Sequence, residues 1–262
     1  MKLIYEITDI APYINWAYFY FAWGMHGKPD AEKQKLRQEA DDALRQMKGR
    51  YHTYALFEIY DAHSEGDDMI LKGDNRIPCL RQQGQGTDYL CLADYLSPNG
   101  GDRVGVFATS VDHGLENDFD DDPYQKMMMQ LLADRLAEAT AERMHEEVRK
   151  HYWGYAKEEN LSIPEMQVEK FQGIRPAVGY PSLPDTSLNF VIDQLLDMKQ
   201  IGIRLTESGA MKPHASVSGL MIAHPQARYF PIGKIGEDQL IDYARRRGLP
   251  VETLRKFLAA NL

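Results

Sequence analysis

Between residues 31 and 48 the apolar positions fall at Leu36, Ala40, Leu44 and Met47, spaced three and four apart among Glu, Lys, Gln and Asp. That spacing lines one side of a helix. A longer helix is predicted over residues 122–151, with Met128, Leu132, Leu136, Ala139, Met144 and Val148 turned inward. Asp122 suits its N-cap and Pro123 its first turn. The acidic run Asp120-Asp121-Asp122 reads as capping and dipole chemistry rather than as a metal site. Residues 54–60 and 69–71 read as strands joined through the turn Ser64-Glu65-Gly66-Asp67-Asp68, a hairpin. Further strands are predicted at 89–92, 104–108 and 216–222. Asn99-Gly100-Gly101-Asp102 separates the first two of these. Helices are predicted at 189–198, ending near Gly202, at 238–247, stopped by Gly248, and at 251–259. Residues 12–25 are too dense in large aromatics for a simple amphipathic helix and read as a buried element that packs and also lines something. Strands and helices mix without strict alternation. The expected class is therefore α+β, a twisted and mostly antiparallel sheet flanked by helices, in one domain spanning 1–262.

Composition narrows the function. The 262 residues include 39 acidic against 30 basic side chains, a net charge of −9. Nucleic acid and anionic membrane are poor partners for such a surface. No apolar run approaches the ~20 residues of a membrane-spanning helix. The start, Met1-Lys2-Leu3-Ile4-Tyr5-Glu6, turns polar too early for a signal peptide, and Cys79 and Cys91 have no CxxC spacing. A cytoplasmic protein with two reduced core thiols is expected.

Several motifs compete for the chemistry. Glu138, Glu142 and His145 share one helix face, and Glu142-Arg143-Met144-His145 has the form Glu-x-x-His. A carboxylate-bridged metal site needs a second such element, which the sequence lacks, so no metal is expected. Asp61-Ala62-His63-Ser64-Glu65-Gly66 has the spacing of a cobalamin-ligating histidine, but the hairpin turn accounts for every residue. There is no Walker loop, dinucleotide fingerprint or serine elbow. In Gly173-Ile174-Arg175-Pro176-Ala177-Val178-Gly179-Tyr180-Pro181, a guanidinium and a phenol flank a turn stiffened by two prolines. Arg175 offers a planar fork for a carboxylate, and Gly179 allows close approach of backbone to a ligand. Tyr229 and Phe230 read equally as a ligand sandwich or as a core strand.

Long strings in order complete the picture: Leu132-Ala133-Asp134-Arg135-Leu136-Ala137-Glu138-Ala139, Tyr152-Trp153-Gly154-Tyr155-Ala156, the 173–181 stretch, Leu205-Thr206-Glu207-Ser208, Ala215-Ser216-Val217-Ser218-Gly219 and Asp242-Tyr243-Ala244-Arg245-Arg246. From about residue 9 to 262 the chain resembles the activation domain of cobalamin-dependent methionine synthase. That resemblance implies a helmet-like fold and S-adenosylmethionine as ligand. It implies binding by Arg175, Gly179 and Tyr180, by backbone of Pro176 and Ala177, and by Tyr229 and Phe230, with Glu138 and Glu169 as acidic neighbours. No residue of the chain is implied as catalytic; methyl transfer runs between S-adenosylmethionine and cobalt. The family places a ligand-contacting acid where this chain has Asn15, which implies weaker binding. The synthase's other modules do not fit in 262 residues. The expectation is a free-standing module that serves, in trans, a cobalamin-binding methionine synthase module, with electrons from another protein such as a flavodoxin-like reductant. Asn15 and the lone module leave open a ligand-binding regulatory protein of the same fold.

Overall fold

The computed structural model describes residues 1–86, 88–119 and 121–262. Among these described residues the strands are β1 (Lys2–Glu6), β2 (His52–Glu65), β3 (Asp68–Leu71), β4 (Asn75–Pro78), β5 (Asp102–Val111), β6 (Arg204–Leu205), β7 (Met211–Lys212) and β8 (Ser216–Met221). The α-helices are α1 (Ile7–Ile10), α2 (Trp16–Ala22), α3 (Asp30–Met47), α4 (Gly114–Asn117), α5 (Pro123–Glu147), α6 (Ile163–Gln167), α7 (Leu188–Leu196), α8 (Glu237–Arg247) and α9 (Val251–Phe257).

The main sheet is antiparallel throughout and ordered β4-β3-β2-β5-β8. The long β2 pairs along one edge with β5; its other edge takes β1 at the start and β3 at the end. β6 and β7 make a separate small ribbon. Alternation of side chains across the pleat gives the sheet two apolar faces. Leu56, Val104, Val106, Ala108 and Leu220 face a core shared with α7, α8 and α9. Ala55, Phe57, Phe107, Val111 and Met221 face a second core shared with α1, α2, α3 and α5. β5 is covered on both sides, so it reads as a near-continuous apolar run.

The periodic helices form where the sequence places them. In α3 the buried stripe is Leu36, Ala40, Leu44 and Met47, with Ala43 added. All six inward positions predicted for the long helix are buried. Asp122 caps α5 by accepting from the N–H groups of Tyr124 at 3.0 Å and Gln125 at 3.1 Å. Asp120 lies outside the described residues. After Glu147 the helix widens into a π turn, Val148–Tyr152, which carries Arg149 into the interior.

Three expectations need correction. The aromatic segment is a short 3₁₀ turn (Ala11–Tyr13) followed by α2, and only Phe19 of α2 is buried; Tyr18 and Phe21 are 59% and 73% exposed. Residues 89–92 form no strand. Cys91 makes a single bridge to Arg81, and Leu92–Tyr95 then coil into a 3₁₀ turn closed by Asp94 accepting from the Cys91 N–H. Residues 229 and 230 lie outside any strand. Cys79 and Cys91 are both buried and unbridged.

Candidate functional site

The Arg175 stretch extends the sheet beyond β8. Ile174 and Ile222 exchange both backbone hydrogen bonds at 2.9 Å, Leu220 donates to the Pro176 carbonyl at 2.9 Å, and Val178 donates to Ser218 at 2.9 Å. Two glycines permit this approach. A Cβ on Gly219 would lie 2.3 Å from the Pro176 oxygen, and one on Gly173, where φ is +86°, 2.3 Å from the Ile222 oxygen. Paired in this way, the segment turns the Arg175 N–H away from β8, and it donates to the Tyr229 hydroxyl at 2.8 Å.

The segment forms one wall of a cleft of about 790 Å³. Arg135, Glu138, Ala139 and Glu142 form the facing wall, since their spacing puts them on one side of α5. Asn15 and Tyr18 come from the start of α2, Glu169 from the turn after α6, and Tyr229 and Phe230 from the chain after β8. Every residue expected at a binding site lines this cleft except Gly179. Gly179 sits behind the wall at φ +88°, donates to the Leu183 carbonyl at 2.9 Å, and would place a Cβ 3.4 Å from Thr186. Its left-handed turn, rather than room for a ligand, accounts for the glycine.

Most charges along the walls are paired. Arg175 is largely buried. One terminal nitrogen donates to the Ala141 carbonyl at 2.8 Å and the other to Glu142 Oε1. Burial opposes its charge, but Glu142 and the Tyr229 hydroxyl more than offset this and hold its pKa above the ordinary value. Glu142 Oε2 is buried and carries no hydrogen bond. Glu138 is engaged at both oxygens, by the Tyr180 hydroxyl at 3.0 Å and by Arg135 at 2.7 Å. Burial and the Glu138 charge push the Tyr180 phenol up to about 12, although 51% of the residue is exposed. Burial, then Glu142, raises the Glu169 carboxyl, against a smaller lowering by Arg175. Asn15 caps α2, its Oδ1 accepting from the Ala17 N–H at 3.2 Å.

The competing motifs go elsewhere. Glu142 serves Arg175, and His145 is fully buried with its ring edge-on to Phe171 at 5.1 Å. Burial, then Arg149 and Arg175, keeps His145 far below its ordinary pKa. Among the described residues no group of three or more His, Cys, Asp and Glu is arranged to hold a metal. His63 lies on β2 beside a different surface depression, 3.5 Å from Glu65. Of the aromatic pair, Tyr229 pins the Arg175 backbone, while Phe230 is buried with the core and also lines the cleft.

Residues 6–248 match the family described as vitamin B12 dependent methionine synthase, activation domain. The chain belongs to this family. Among solved structures it is similar to the MetH reactivation domain bound to AdoHcy, with a TM-score of 0.93 and 37% identity over 100% of this chain and 90% of that one. The fold is therefore that of the activation domain, helices around a curled antiparallel sheet. Sequence reasoning missed Arg135 as a cleft residue, reached Tyr13 and Tyr18 only as part of an aromatic segment that lines something, and weighed Glu142 only in a metal motif. Arg135, Glu138 and Glu142 had a usable signal in their shared helix face. The pairing of Glu142 with Arg175 had none, because it depends on the sheet bringing two distant segments together.

Proposed function

We propose that this activation domain binds S-adenosylmethionine in the cleft and presents it for reductive remethylation of cobalamin carried by a methionine synthase module, acting in trans. The observation behind this reading is a largely buried guanidinium fixed at a cleft whose other charges are predominantly acidic. S-adenosylmethionine has a carboxylate for Arg175, two cationic centres for the acidic wall, and a nucleoside for the exposed Tyr180 face and the Pro176 and Ala177 backbone. The AdoHcy held by the MetH reactivation domain is a ligand of the same kind. The chain's own residues bind and orient; the ligand supplies the methyl group, and reduced cobalt on the partner accepts it. The reductant is a separate protein of flavodoxin type. Residues 1–262 act as one unit, in the cytoplasm; among the described residues no helix is long and apolar enough to cross a membrane.

Titration calorimetry with S-adenosylmethionine tests the ligand. Arg175→Ala is expected to weaken binding about 10- to 100-fold, the range for losing a charge-assisted hydrogen bond. Equal affinity in the two proteins overturns the site. Co-purification with a cobalamin-binding synthase module from the same cell tests the action in trans, and its failure with ligand binding intact would favour the regulatory alternative.

A further inference from the structure

An amino-acid end has two charges, and Arg175 accounts for one of them. Arg175 suits the carboxylate. The ammonium needs a buried acceptor, and most candidates are occupied. Asn15 Oδ1 caps α2, and both Glu138 oxygens are bonded, to Tyr180 and to Arg135. Glu142 differs. One of its oxygens holds the Arg175 guanidinium, while the other, Oε2, is buried in the cleft wall without a hydrogen bond. A buried, unsatisfied carboxylate oxygen is costly unless something donates to it. Arg175 uses two bonds to the protein, at Ala141 and Glu142, and a guanidinium has five N–H groups. The ion pair therefore keeps donors for a carboxylate and an acceptor for an ammonium side by side.

We propose that Glu142 is a specificity-determining residue of the cleft: with Arg175 it forms a receptor for the zwitterionic end of the ligand, its free Oε2 accepting from the ammonium. This rests on the S-adenosylmethionine reading above. It also supplies the negative charge absent at Asn15. Glu169 faces the same pair from the turn after α6 and is the rival acceptor.

Calorimetry on the intact chain with three probes separates the roles. S-adenosylhomocysteine carries both charges, its decarboxylated form keeps only the ammonium, and methylthioadenosine has neither. Glu142→Gln is expected to lose about tenfold or more for the first two and nothing for the third. A loss confined to S-adenosylhomocysteine means that Glu142 acts only by holding Arg175, and overturns the proposal. So does an equal loss on all three, or a loss seen in Glu169→Gln instead. If wild-type protein binds none of the probes, it is the underlying ligand reading that fails. Should Glu142→Gln not fold, Glu142→Asp keeps the charge but withdraws the oxygen, and the same three-probe pattern decides.

Discussion

Asn15 lines the cleft as an uncharged residue, and its side chain is already working as a helix cap. Aspartate caps equally well, so Asn15→Asp should leave thermal stability unchanged while tightening S-adenosylmethionine by about 1 kcal/mol, roughly fivefold in calorimetry. His145 gives a pH signature. It is buried, neutral and beside Arg149 and Arg175, with a pKa well below its ordinary 6.5. Below pH 6.5 the unfolded chain takes up a proton that the folded chain refuses, so this residue's contribution destabilises the fold progressively as pH falls. The slope approaches about 1.4 kcal/mol per pH unit, and His145→Gln should remove it from urea melts compared between pH 7.5 and 5.5. At this scale the sequence was most legible where geometry is local. Arg175 and Tyr180 stand out through the prolines and glycines around them. Glu142 was visible only in a metal motif that the sequence argued against, and its real partner lies 33 residues away on a separate segment.

Among the elements, the contact between β8 and the 173–180 segment is the most sensitive to a small change. Gly219→Ala forces a methyl into the Pro176 carbonyl and to 2.8 Å from the Ala177 Cα. Both atoms belong to backbone that cannot swing aside. We expect about 1–3 kcal/mol of lost stability in denaturant melts, together with weaker S-adenosylmethionine binding, because the wall carrying Arg175 must shift. Long helices were readable because α3 and α5 repeat their apolar stripe over many turns. Short pieces carried no repeat to read. β1, β4 and the two-residue β6 and β7 went unrecognised, and the irregular edge segment looked like a loop because its pairing is made residue by residue with a distant strand. The aromatic density of residues 12–25 points to a buried element that also lines something; Tyr18 at the cleft fits the second half, and the exposed Phe21 departs from the first.

For the whole molecule, the α+β class followed from mixed periods of two and of 3.6, but the strand order did not, since it depends on long-range pairing. Ligand binding should register globally. At a free S-adenosylmethionine concentration of a hundred times its dissociation constant, stability should rise by about 2.7 kcal/mol, seen as a higher melting temperature, and Arg175→Ala should cut that gain to about 0.4–1.4 kcal/mol at the same concentration. The proline-bearing stretch along β8 has one more consequence, for solubility. An open sheet invites stray chains to zip onto its rim, and here the rim is occupied by a strip whose outward Arg175 N–H is already spent on the Tyr229 hydroxyl. The strip that holds Arg175 thus also acts as a gatekeeper, and a variant that lets it peel away would tend to aggregate through a freshly bared β8.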